Sequence, residues 1–175
     1  IRYPERVKRL VISNSMPAHE GKWKREMTLI EYEHERHHGV REKLEELDES
    51  GLLDRDPEAY FRRYREIKSW QIFEDTTDAA KTVYTIDPCP RVNHLTWESL
   101  KGYDFRSQLK RLKMPVLVIH GERDIIPLKY AKELHQLMPQ SSFVITRKGH
   151  QPYIEDPGTF FQSVIEFLRS SQNVY

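Results

Sequence analysis

The stretch P-V-L-V-I-H-G-E-R-D, residues 115–124, decides how this 175-residue chain is read. Val116 to Ile119 form an apolar run without polar alternation, the pattern of a strand covered on both faces. Gly121 ends the run, and Asp124 stands just beyond it. In a sheet of parallel strands the working residues lie in the loops at the carboxyl ends of the strands. Asp124 sits at such a place. A lone aspartate after a strand is more often turn punctuation, so a chemical role requires a partner.

Reading outward towards the carboxyl end, P-L-K-Y-A-K-E-L-H-Q-L-M (127–138) is a helix opened by Pro127, and S-F-V-I-T (142–146) is a second strand. Gly149 and His150 follow it as Gly121 and Asp124 follow the first. The segment 157–171 reads as a closing helix. Upstream, D-F-R-S-Q-L-K-R-L (104–112) reads as a helix feeding Met114-Pro115, and Leu10-Val11-Ile12 is another buried-strand signature, stopped by Ser13 to Ser15. Strands alternating with helices of this length mean βαβ units and a parallel sheet. Asp124 and His150 then emerge at one sheet edge on adjacent loops. A histidine general base needs such a carboxylate to fix its tautomer and to stabilise the imidazolium. Glu122 is the weaker rival for the acid. Glu155 and Asp156 read as caps of the last helix.

Between Glu20 and Trp70 about half the positions are charged, the pattern of solvated helices. Trp23, Met27 and Ile30 recur at helical spacing, as do Val40, Leu44 and Leu47, with Gly51 as a stop. Asp56-Pro57 opens another helix, whose apolar side is Tyr60, Phe61, Tyr64, Ile67 and Trp70. A shorter helical piece beyond Asp87-Pro88-Cys89-Pro90 carries Trp97 and Leu100.

Composition narrows the classes. A net charge of +1 removes the main electrostatic reason to propose nucleic acid or an anionic membrane as partner. No apolar run approaches the roughly 20 residues that span a bilayer, and the opening lacks a signal-peptide core. The single cysteine, Cys89, excludes an internal disulfide and fits a reducing, cytoplasmic compartment. It reads as a loop residue.

P-V-L-V-I-H-G-E-R-D-I-I-P followed by G-H-Q-P-Y-I-E-D-P resembles the last two strand–loop units of an α/β-hydrolase, and Y-P-E-R-V-K-R-L-V-I-S-N-S resembles the strand after the nucleophile-bearing helix of that fold. The resemblance implies an α/β fold: the C-terminal part of an α/β-hydrolase parallel sheet with an inserted all-helical lid. Residues 1–16 would supply the first strand, 17–100 the lid, and 101–175 the units bearing the acid and histidine. It implies a serine hydrolase cleaving a small ester, amide or short peptide by acyl transfer without cofactor or metal, with Asp124 and His150 catalytic. The size of the lid and its many carboxylates resemble the proline-iminopeptidase-like branch. Trp23, Trp70, Trp97 and Ile125 are candidates to line the substrate pocket, although packing is the commoner use of buried tryptophans.

One member of the triad is missing. No G-x-S-x-G occurs, and Ser13 and Ser15 have neither the flanking glycines nor a following helix to serve as nucleophile. The expected partner is therefore the N-terminal half of the fold. The chain alone is expected to be inactive, marginally stable or prone to associate through its bare sheet edge. Two rivals are kept. His34-Glu35-Arg36-His37-His38 formally satisfies H-E-x-x-H, a zinc hydrolase signature, though charged on nearly every side and followed by Gly39. The other is a non-catalytic α/β scaffold with a helical interaction lobe.

Overall fold

A computed structural model of the chain describes residues 3–82 and 89–170. Its centre is a parallel three-stranded sheet of β1 (Leu10–Ser13), β2 (Val116–Gly121) and β3 (Ser141–Thr146), in that order. Val118 stands level with Ile12 on one side and Phe143 on the other. All six residues of β2 are buried, as an unbroken apolar run in a central strand demands.

Between β1 and β2 the chain runs through a helical lobe: α1 (Trp23–His37), α2 (Val40–Glu49), α3 (Leu52–Arg55), α4 (Pro57–Ser69), α5 (Thr76–Ala79) and α6 (Pro90–Ser99). A short α7 (Arg106–Leu109) leads into β2. After it come α8 (Leu128–Leu137), β3, α9 (Pro152–Glu155) and α10 (Pro157–Arg169). The local signals act as their chemistry predicts. Asp56 accepts from the Ala59 amide at 3.0 Å and caps α4, while Gly51, with φ at 67°, takes the left-handed turn between α2 and α3.

The apolar residues gather in three clusters. The first joins Val116 and Val118 of β2 to Ala131, Leu134 and Met138 of the α8 region, with Leu10, Ile12 and Phe143 alongside. The second is the core of the lobe, Val40, Leu47, Tyr60, Ile67, Trp70, Phe73 and Ala79. The third joins lobe and sheet: Trp23, Ile125, Ile126 and Tyr130, with Met16, Met27, Ile30, Ile72 and Trp97 packed against them. Each large side chain buried in this way stabilises by about 1.5–3 kcal/mol.

Three expectations need correction. Phe61 and Tyr64 do not share the buried side of α4, being 49% and 38% exposed, because only one stripe of that helix meets α2 and Phe73. The helix read over 104–112 is a single turn; Leu109 and Leu112 still reach the core. Glu155 does not cap the closing helix. Asp156 does, accepting from the Thr159 amide at 3.4 Å.

Candidate active site

Two loops meet at the carboxyl rim of the sheet, one after β2 and one after β3. They approach so closely that a Cβ on Gly121 would lie under 3.0 Å from the carbonyl oxygens of Lys148 and Gly149. The glycine is therefore needed for its missing side chain. Backbone bonds fix the pairing: the Glu122 amide donates to Thr146 O at 2.9 Å and the Arg123 amide to Lys148 O at 3.2 Å.

This brings Asp124 and His150 together. The Asp124 carboxylate is fully buried, and its Oδ1 accepts from His150 Nδ1 at 2.8 Å and from the Ile126 amide at 2.7 Å. A carboxylate only accepts, so Nδ1 carries the proton and Nε2 is left bare. The imidazole is 25% exposed. Burial pulls the His150 pKa down, but the hydrogen bond and charge of Asp124, with Glu155 and Glu31 behind them, more than offset it and hold the pKa above its ordinary value. Glu122 is exposed on the same loop and stands outside this arrangement.

No protein-family model matches the chain. Over 72 residues it is 33% identical to a pimeloyl-[acyl-carrier protein] methyl ester esterase from Vibrio vulnificus, covering 40% of this chain and 28% of that protein. Over 95 residues it is 37% identical to the enzyme of the same description from Salmonella paratyphi A, covering 52% of this chain and 37% of the relative. The chain thus spans about a third of the curated relatives it matches. An α/β-fold family hydrolase from Bacillus anthracis superposes with a TM-score of 0.57 at 18% identity, over 91% of this chain and 58% of the other. The chain shares the α/β-hydrolase fold.

Within this α/β-hydrolase fold, three polar residues that the sequence did not assign to the site surround the pair. Asn14, one residue past β1, donates from Nδ2 to Asp124 Oδ2 at 2.5 Å and to Gly149 O at 3.0 Å. His120, at the end of β2 and 1% exposed, has Nε2 2.8 Å from Ile126 O, so that nitrogen is the donor; it also lies 3.5 Å from Asp124 Oδ2. Glu155 accepts from the amides of Gly149 (3.2 Å), Gln151 (2.8 Å) and Glu74 (3.3 Å). It therefore grips both sides of His150 and one residue of the lobe. Burial raises the Glu155 pKa, against which its amide donors act. A carboxylate just before a helix reads as a cap in sequence; only the fold shows it turned back on the histidine loop.

The lobe is tied to this rim through charge. Lys148 Nζ lies 3.3 Å from buried Asp78 and 3.9 Å from Asp75, while Arg123 pairs with Glu74. Of the candidate pocket residues, Trp23, Trp97 and Ile125 share the cluster joining lobe and sheet, with the Trp23 and Trp97 rings 5.9 Å apart. Trp70 packs in the core of the lobe with Ile67 and Phe73, since its place at the end of α4 turns it towards Val40 and Leu47 of α2.

The H-E-x-x-H histidines face inward as hydrogen-bond donors. His34 Nδ1 donates to Gln71 O at 3.0 Å and His38 Nε2 to Phe73 O at 3.2 Å, pinning α1 to the segment after α4. Burial holds the His38 pKa below its ordinary value. Among the described residues no group of three or more His, Cys, Asp or Glu is arranged to hold a metal ion. Ser13 Oγ and Ser15 Oγ bond their own neighbours, Asn14 Oδ1 and Met16 O, and Cys89 is exposed. No helix among the described residues is long and apolar enough to cross a membrane.

Proposed function

We propose that this chain is the acid- and histidine-bearing portion of a serine hydrolase that cleaves a small ester by acyl transfer, with Asp124 and His150 as two members of its triad. The observation that carries this reading is the 2.8 Å contact between His150 Nδ1 and the buried Asp124 carboxylate. With Nδ1–H committed to Asp124, His150 Nε2 takes the proton of a serine hydroxyl as it attacks the carbonyl. Asp124 stabilises the resulting imidazolium, and the same nitrogen then returns the proton to the leaving alkoxide. The two esterases at 33% and 37% identity favour an ester over a peptide substrate.

In this reading the nucleophile and the oxyanion-hole amides are supplied by sequence outside the chain, the part of the fold that completes the free edge of β1. Residues 17–100 act as a lid over the rim, with the Trp23–Trp97–Ile125 cluster flooring the acyl site.

The test is hydrolysis of short-chain p-nitrophenyl esters by a longer protein that contains this chain. His150→Ala should lower kcat/KM by about 10⁴-fold or more, and Asp124→Asn by a comparable factor. His38→Ala should leave it unchanged, and the 175-residue chain alone should give no turnover. Full activity in His150→Ala, or activity lost in His38→Ala and restored by zinc, would remove the reading.

A further inference from the structure

Asn14 adopts φ of 41°, and no other non-glycine residue among those described has a positive φ. The left-handed region costs most residues free energy; asparagine tolerates it better than most. Such a conformation persists where the surroundings fix it. Here its amide donates to Ile119 O at 3.0 Å, one bond beyond the end of the β1–β2 ladder, and the turn aims the side chain across the rim. The two Nδ2 protons go to different loops: one to Asp124 Oδ2, the other to the carbonyl of Gly149, the residue before His150. Both partners only accept, which fixes the orientation of the amide, and Ser13 Oγ donates to its oxygen at 3.4 Å.

The Ile126 amide holds Oδ1 of Asp124, and a second donor on Oδ2 fixes the plane of the carboxylate. Asn14 occupies that oxygen and leaves Oδ1 facing His150 Nδ1. His120 gives Oδ2 only a long second contact at 3.5 Å because its Nε2 proton is directed at Ile126 O. We propose that Asn14 is a positioning residue of the acid–base pair: its carboxamide sets the rotation of Asp124 and ties the His150 loop to the end of β1, so three strand ends act as one unit. This rests on the reading of Asp124 and His150 as that pair.

The measurement is an NMR titration of the histidine ring nitrogens in the 175-residue chain, with His135, which stacks on Phe143 and hydrogen-bonds Ser141, as internal control. The charged groups that act on His150 are Asp124, Glu155 and Glu31, and none of them is altered in the Asn14 variants. Asp124→Asn should lower the proton affinity of His150 on the order of tenfold or more, as burial then acts without its counter-charge. Asn14→Gly accepts the left-handed backbone without strain and lacks the amide. It should keep the melting temperature within a few degrees and still lower the proton affinity on the order of threefold. If Asn14→Gly does not fold, Asn14→Ser, too short to reach both acceptors, is read in the same way. A His150 titration unmoved or raised in the Asn14 variants, while Asp124→Asn lowers it, overturns the role of Asn14 alone. A titration unmoved in Asp124→Asn overturns the pair itself.

Discussion

β2, the central strand of the sheet, and α1, the longest helix of the lobe, are held in place by different means. β2 is buried throughout and apolar from Val116 to Ile119, and its position follows from backbone pairing on both sides, residue by residue. α1 is charged over most of its surface, and among its residues only Trp23 is buried. It is located by a few apolar contacts and by two histidines donating to backbone carbonyls. Pairing in a sheet transmits position to whatever follows the strand, so the ends of β1, β2 and β3 deliver Asn14, Asp124 and His150 to one point. Helix packing transmits no such register, and the lobe contributes to the rim through side-chain ties at Glu74, Asp75 and Asp78 instead.

Four measurements would break or sharpen that contrast, beginning with the largest effect on stability. Phe73 is fully buried at the centre of the lobe, so Phe73→Ala should cost about 3–5 kcal/mol in chemical denaturation. If the regions differ as described, amide exchange in β2 stays slow in this variant while the lobe opens; equal loss in both would mean one cooperative unit. Gly121→Ala comes next, at about 3 kcal/mol, because the added methyl meets two backbone carbonyls that only a shift of the His150 loop relieves. The same variant should lose the hydrogen bond between Asp124 and His150, seen as a changed His150 nitrogen shift. Retention of both would show that the rim is looser than the close approach of the loops implies.

Acidity should act on the two regions with opposite sign. His150 has a folded pKa raised above its ordinary value of 6.5, so its contribution is complete below that value and lost as pH rises through the folded pKa. His38 is lowered from the same 6.5, so its contribution is present above that value and lost as pH falls through the folded pKa. Urea midpoints against pH should flatten on the alkaline side in His150→Gln and on the acidic side in His38→Gln. One common pH dependence for both variants would argue against the assignment. The smallest effect belongs to the exposed pairs of the lobe. Arg36 and Glu33 are 72% and 60% exposed, and Glu33→Ala should change stability by about 0.5 kcal/mol or less.

Much of the rim was legible because strand, glycine and polar residue recur in the same order at β2 and β3. Asp124 and His150 stand out in that repetition. Asn14 did not, since after a strand an asparagine reads as turn chemistry, and its acceptors lie 110 and 135 positions away. Glu155 was misread for the same reason: a carboxylate before a proline-initiated helix has a complete local explanation that the fold overrides. In the lobe the helices followed from periodicity and caps, whereas Phe61 and Tyr64 show that an apolar side of a helix need not be the buried side. Trp70 and Trp23 look alike in sequence and ended in different clusters.

By itself the sequence determined the order of strands and helices, the parallel sense of the sheet, and the two loops on which an acid and a histidine would fall, because these depend on local apolar period and on turn residues. Only the tertiary structure decided which oxygen of Asp124 faces His150, what holds it there, and that His34 and His38 each meet a backbone carbonyl of the segment after α4. Those outcomes depend on hydrogen-bond donors and acceptors far apart in the chain, and no short-range pattern records which of them meet.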